Sequence, residues 1–105
     1  MYESFISERI AKLRTQKGVS ARDMSLSLGV ANNYINNIEN KKALPSMQAF
    51  FSICEYLGVT PLEFFDEGNQ NPKAMRKFIK EGMKLSPDNL ALILSLMKQI
   101  NGKKK

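Results

Sequence analysis

Three apolar stretches of this chain each stop at a glycine, at Gly18, Gly29 and Gly58, and hydroxyl residues Ser20 and Thr60 follow two of them. That punctuation confines the first two-thirds of the sequence to short helices. Ile6, Ile10 and Leu13, with Tyr2 one turn earlier, mark an amphipathic helix over about 4–17 that Gly18 stops. Ser20 as N-cap with Asp23 three residues on is a short-armed capping box, opening a second helix over 21–28 with Met24 and Leu28 inward. Ser46 caps a fourth helix to Leu57, where Met47, Phe50, Ile53, Cys54 and Leu57 recur at spacings of three and four. Thr60 as N-cap with Pro61 at N1 starts a fifth, short helix holding Leu62 and Phe65. No stretch sustains the period-two alternation of a strand.

The third helix, expected over 31–40 after a turn at Val30, has an unusual composition. Five of the nine residues from Asn32 to Asn40 are asparagine. Helical winding gathers Asn32, Asn33, Asn36, Asn37 and Asn40 into one arc of roughly 140°, with Ile35 and Ile38 opposite. Asparagine costs a helix up to about 0.7 kcal/mol relative to alanine, so five cost roughly 3 kcal/mol. A merely solvated face is cheaper in Glu, Lys and Gln. The side-chain amide presents a donor and an acceptor together, the pattern that pairs with the N6 and N7 edge of adenine in the major groove. Two short helices joined by a tight glycine turn, the second with such a face, make a helix-turn-helix whose third helix is expected to recognise DNA.

Residues 66–72 are polar and rich in turn formers. A domain is therefore expected over 1–66, a linker over 67–72 and a second element over 73–105. That element reads as a helical hairpin. Its first helix, over about 73–84, carries Met75, Phe78, Ile79 and Met83 on one side. Its second, capped by Ser86 with Pro87 at N1, runs to about Ile100. Leu90, Ile93, Leu94, Met97 and Ile100 form one stripe there, with Leu92 and Leu96 beside it. Two helices this small cannot bury enough surface to stand alone. They must pack on their own domain, on another protein or on a second copy, and dimerisation is the expectation. Lys103, Lys104 and Lys105 read as a solvated end that adds weak phosphate attraction.

The net charge of +6 suits an anionic partner, although residues 1–65, with seven basic and six acidic residues, hold only +1 of it. Cys54 is alone, so no intramolecular disulfide and no cysteine metal cluster can form. Histidine is absent, which removes the commonest general base and metal ligand. No nucleophile–base pair or metal constellation can be assembled. No enzyme activity, cofactor or metal is therefore expected. The first residues lack a basic region followed by an apolar stretch, and no apolar run approaches the length of a membrane span, so a cytoplasmic location without membrane association is expected.

Residues 5–65 resemble the Cro/repressor-type (XRE-like) helix-turn-helix domain. The resemblance runs through Ile10, Leu13-Arg14, Lys17-Gly18-Val19-Ser20, Leu28-Gly29-Val30, Tyr34-Ile35 and Ile38-Glu39-Asn40. It continues through Pro45-Ser46, Phe50, Ile53-Cys54, Leu57-Gly58-Val59, Leu62 and Phe65. It implies an all-α, five-helix bundle, here followed by the hairpin, with helix three in the major groove and helix two across the phosphate backbone. It places Asn32, Asn33 and Asn37 against base edges, Asn36 against bases or phosphate, and Asn40, Lys41 and Lys42 against the backbone. Where the family usually has a phosphate-binding glutamine this chain has Ala21, so Ser20, Arg22 or backbone amides are expected to serve. Lys41 stands where the family commonly has glycine. Arg14 and Glu39 match positions that often form a structural ion pair; Arg9 has no partner in view. Cys54 occupies the place of a small buried residue, and a structural thiol is expected. The implied function is a transcriptional repressor binding double-stranded DNA as a homodimer. The competing reading is an antitoxin-like or adaptor protein whose C-terminal helices bind a protein partner.

Overall fold

The computed structural model describes residues 2–102, and those residues form seven helices and no strand. They are α1 (Tyr2–Lys17), α2 (Ala21–Ser27), α3 (Tyr34–Glu39), α4 (Met47–Leu57), α5 (Pro61–Phe65), α6 (Pro72–Gly82) and α7 (Pro87–Gly102). The chain divides after Pro72 into two compact units. The run Lys103–Lys105 lies outside the described residues.

Four of the five N-terminal helices end in one way. After α1, α2, α3 and α4 the chain turns left-handed, at Gly18 (φ 81°), Gly29 (φ 75°), Lys41 (φ 63°) and Gly58 (φ 73°). In each case the next residue's N–H reaches back five positions: Val19 to Arg14, Val30 to Ser25, Lys42 to Asn37 and Val59 to Cys54. This is the Schellman closure, which satisfies carbonyls that a helix end leaves orphaned. Starts are capped as the hydroxyl pattern implies. Ser20 accepts from the Asp23 N–H at 2.9 Å and Ser46 from the Ala49 N–H at 3.1 Å. Thr60 and Glu63 form a full reciprocal box around α5.

The core of the first unit is Ile10 and Leu13 from α1, Met24 from α2, Ile35 and Ile38 from α3, Phe50, Ile53 and Cys54 from α4, and Val59 and Phe64. Burying each of its large aliphatic side chains contributes about 1.5–3 kcal/mol before entropy is counted. Phe64 sits edge-on to Phe50 at 5.0 Å and to Phe5 at 6.2 Å. Burial pushes the Cys54 thiol up to about 11, which keeps it protonated and unreactive near neutrality.

Several inward residues differ from the expected ones. In α5 the buried side chain is Phe64, whereas Leu62 is 83% exposed and Phe65 lies half-exposed over Phe5. Tyr2 and Met47, one turn before their helices meet the core, are also exposed. A five-residue helix has too few turns for periodicity to pick its inner face.

Arg9, for which the sequence offers no partner, is 4% exposed and is a main fastener of this unit. Its Nε donates to the Phe64 carbonyl at 2.7 Å, and its Nη2 donates to the carbonyls of Glu63 (2.8 Å), Asp66 (3.2 Å) and Asn69 (2.9 Å). One guanidinium thus closes the C-terminal end of α5 and straps the following segment to α1. Gln16 adds a bond to the Gln70 carbonyl at 2.7 Å, Lys12 bonds the Gln70 side chain, and Pro72 is fully buried. The stretch 67–72, expected as a linker, is therefore held against α1. Replacing Arg9 with Met should strand several carbonyls and destabilise by about 3 kcal/mol or more. Arg9→Lys should recover only part of that loss, because a point ammonium cannot serve a fork of acceptors. Urea unfolding midpoints of the two variants check this.

Candidate nucleic-acid interface

The helix expected over 31–40 begins only at Tyr34. Ala31, Asn32 and Asn33 form the turn that enters it. Asparagine prefers caps and turns because its amide competes with the helical ladder, and the run obeys that preference at its first two members. Asn36 and Asn37 lie on α3, Asn33 is its N-cap and Asn40 its C-cap. Ile35 and Ile38 are both fully buried, which turns the asparagine side outward. Asn32, Asn33, Asn36 and Asn40 are exposed, and Asn37 is partly covered.

Six residues are too few to hold a helix in water, so α3 must be held from outside. At its start, Asn33 makes no side-chain capping bond. Ser25, buried on α2, does that work instead. Its hydroxyl donates to the Ala21 carbonyl at 2.9 Å and accepts the Ile35 N–H at 3.0 Å. A neighbouring helix thus satisfies an orphan amide of α3, and the Asn33 amide is released from capping.

At the other end, buried Ser7 on α1 donates to the Ile38 carbonyl at 2.7 Å, with the Glu3 carbonyl 3.1 Å away on its own helix. The expected pair of Arg14 and Glu39 is formed as a fork. Nε meets Oε2 at 2.7 Å and Nη2 meets Oε1 at 3.0 Å, while Nη1 donates to the Val19 carbonyl at 2.8 Å. Hydrogen bonding to Glu39 holds the Arg14 pKa above its ordinary value; desolvation opposes this and the Glu39 charge adds to it. A raised pKa means that folding favours the charged Arg14 at every pH below its unfolded value, so this contribution is intact around neutrality and is lost only in strong alkali. Three side chains invisible to periodicity (Ser7, Arg9 and Ser25) do much of the fastening. The signal that could have found Arg9 and Ser7 is their position beside the Ile6-Ile10-Leu13 stripe, where polar residues are half-committed to the core.

Around this helix lie the other expected contacts. Ser20 and Arg22 are exposed at the start of α2, and Ser20 keeps its hydroxyl hydrogen free to donate while its oxygen caps. Lys41 and Lys42 are exposed in the loop after α3, with the Lys41 ammonium 3.9 Å from Glu8. Among the described residues no group of His, Cys, Asp and Glu could hold a metal ion, and no helix is long and apolar enough to cross a membrane.

A helix-turn-helix family model matches residues 10–64, which takes in the core, the α2–α3 turn and every fastener of α3 except Ser7. The chain belongs to this helix-turn-helix family, of the Cro/repressor type. The match supports a DNA-binding helix-turn-helix regulator in general terms. No curated protein and no solved structure gave a significant match.

Within a helix-turn-helix domain closed by four Schellman turns, Lys41 is the exception, since glycine occupies the other three left-handed positions. A side chain there costs roughly 1 kcal/mol. Its pairing with Glu8 is solvent-exposed and offsets little. Lys41→Gly should raise the unfolding free energy by about 1 kcal/mol. Urea denaturation measures it, and an unchanged or lower stability would show that the lysine's own contacts absorb the strain.

Proposed function

We propose that the chain is a sequence-specific DNA-binding repressor that reads the major groove with the asparagine side of α3 and acts by occupying an operator. The observation that carries this reading is the release of the Asn33 amide. Ser25 caps the helix in its place, and Asn32 and Asn33 in the entering turn and Asn36 on α3 face solvent, with the helix fastened at both ends. A backbone held in place before binding loses little freedom when the amides it carries pair with adenine edges. Asn37 joins them from its partly covered place. Ser20, Arg22, Asn40, Lys41 and Lys42 then meet phosphate, positioning the helix without reading sequence.

Selection of bound sites from random duplex gives the preferred sequence, which should contain adenines. Asn33→Ala or Asn37→Ala should then cost about 1–3 kcal/mol on that sequence and little on random DNA. Equal losses on both, at one salt concentration, would remove these residues from sequence reading.

The second unit supplies the dimer in this reading. Between α6 and α7 lies an apolar groove of about 290 Å³ lined by Phe78, Gly82, Leu90, Ile93, Leu94 and Met97. Leu90, Leu94 and Ile100 are 41%, 48% and 52% exposed, more than water tolerates at low cost across one stripe. Two hairpins burying these stripes could space two copies of α3 by one DNA turn, roughly 34–36 Å. The same exposed groove is the observation that favours the adaptor reading, with a different protein in the groove. A chain cut after Pro72 keeps every Arg9 acceptor and should fold as a monomer, while the full chain sediments as a dimer at tens of micromolar, an order-of-magnitude range. A monomeric full chain would leave the groove to another protein.

A further inference from the structure

α6 has a second face that neither the asparagines nor the apolar groove uses. Lys73, Arg76, Lys77 and Lys80 fall within an arc of roughly 100°, and all four are exposed. Met75, Phe78, Ile79 and Gly82 lie opposite. Cations three and four positions apart repel one another, and Lys73 and Arg76 stand near the helix start, where the dipole disfavours positive charge. The first turn of α6 holds no acidic residue. Glu81, the one acidic residue of α6, is paired with Lys84 at 3.2 Å.

The charge of the whole chain gives that face its meaning. Residues 1–72 hold seven basic and eight acidic residues, a net −1, and residues 73–105 hold nine basic and two acidic, a net +7. The unit that carries α3 therefore has no net attraction for a polyanion. Lys73 follows directly on Pro72 in the chain.

We propose that the cationic face of α6 is a second DNA-contact surface, holding the phosphate backbone of the duplex. This rests on the proposed DNA-binding function and adds to it the source of the non-specific affinity. Phosphate contact by lysine and arginine releases counterions and carries no sequence information. A basic amphipathic helix can also lie on an anionic bilayer, but it must then insert its apolar side. Here Phe78 and Gly82 of that side line the groove shared with α7, which leaves the cations facing outward.

The test uses the full chain with Lys73→Gln, Arg76→Gln, Lys77→Gln and Lys80→Gln together, titrated against the selected duplex and a random duplex from about 50 to 200 mM salt. The slope of log affinity against log salt should become shallower by about 3–4, since each phosphate contact contributes about 0.9. Both duplexes should lose affinity alike, preserving their ratio. Lys77→Gln alone should lower the slope by about 0.9, which decides the matter even if the fourfold variant folds poorly. Lys73→Arg, Lys77→Arg and Lys80→Arg together should keep the wild-type slope. A wild-type chain that binds no duplex overturns the DNA-binding reading, and this surface with it. A wild-type chain that binds while the Gln variants keep its slope overturns the second surface alone. Loss of binding to vesicles of phosphatidylserine in phosphatidylcholine, with the DNA slope unchanged, would assign the face to a membrane instead.

Discussion

α3 is too short to form by itself, and the architecture of the first unit follows from holding it. Isolated helices of fewer than about 12 residues are marginal in water, and α3 has six, four of them Asn36, Asn37 and β-branched Ile35 and Ile38. Burial of Ile35 and Ile38 fixes its roll, Ser25 fixes its first turn, and Ser7 with the Arg14–Glu39 fork fixes its last. Each of these ties comes from α1 or α2, so α3 is positioned by its scaffold rather than by propensity. The composition of its outer side is therefore free to serve recognition. A helix that had to stabilise itself could not afford that many amides.

α5 is held by the same logic with different groups. It has five residues, a complete capping box at its start and Arg9 across its end. Arg9 is a buried cation solvated by backbone carbonyls, an arrangement that only a fork of donors can satisfy. Through the Asp66 and Asn69 carbonyls it also decides where the first unit ends, carrying the chain on to Pro72. Polar composition alone does not reveal this, because a segment can be rich in turn formers and still be strapped down by its backbone.

Legibility in the sequence followed physical range. Glycine stops and hydroxyl caps are local, and α1, α2, α4 and α5 begin and end within two residues of where those signals put them. The inward residues of α1 and α4 were legible where several turns share a stripe, as at Ile10, Leu13, Phe50 and Ile53. They were illegible in α5, where Phe64 lies inward. α3 starts three residues later than periodicity predicts, because asparagine's own preference for turns prevails there. The Arg14–Glu39 pair came from family resemblance, whereas Arg9, Ser7 and Ser25 act over 10 to 60 residues of separation on backbone atoms, so their partners are not encoded in any side-chain pattern even where the stripe of α1 marks the positions of Ser7 and Arg9.

Charge and shape divide the proposed work between the two units. A net −1 on residues 1–72 means that wrong contacts with DNA gain little from electrostatics there, so discrimination can rest on the amides of α3. Lys41 and Lys42 place local positive charge at the rim of that surface, with Lys41 held in a left-handed turn that glycine would occupy more comfortably. Strain kept at one of four equivalent turns, and relieved by glycine at the other three, is what selection for a side chain at that spot would leave behind. In the proposed arrangement the +7 of residues 73–105 supplies attraction without choosing a sequence. Affinity in that arrangement is set largely by salt and specificity by hydrogen bonds, so that a change on the α6 face alters the first while sparing the second.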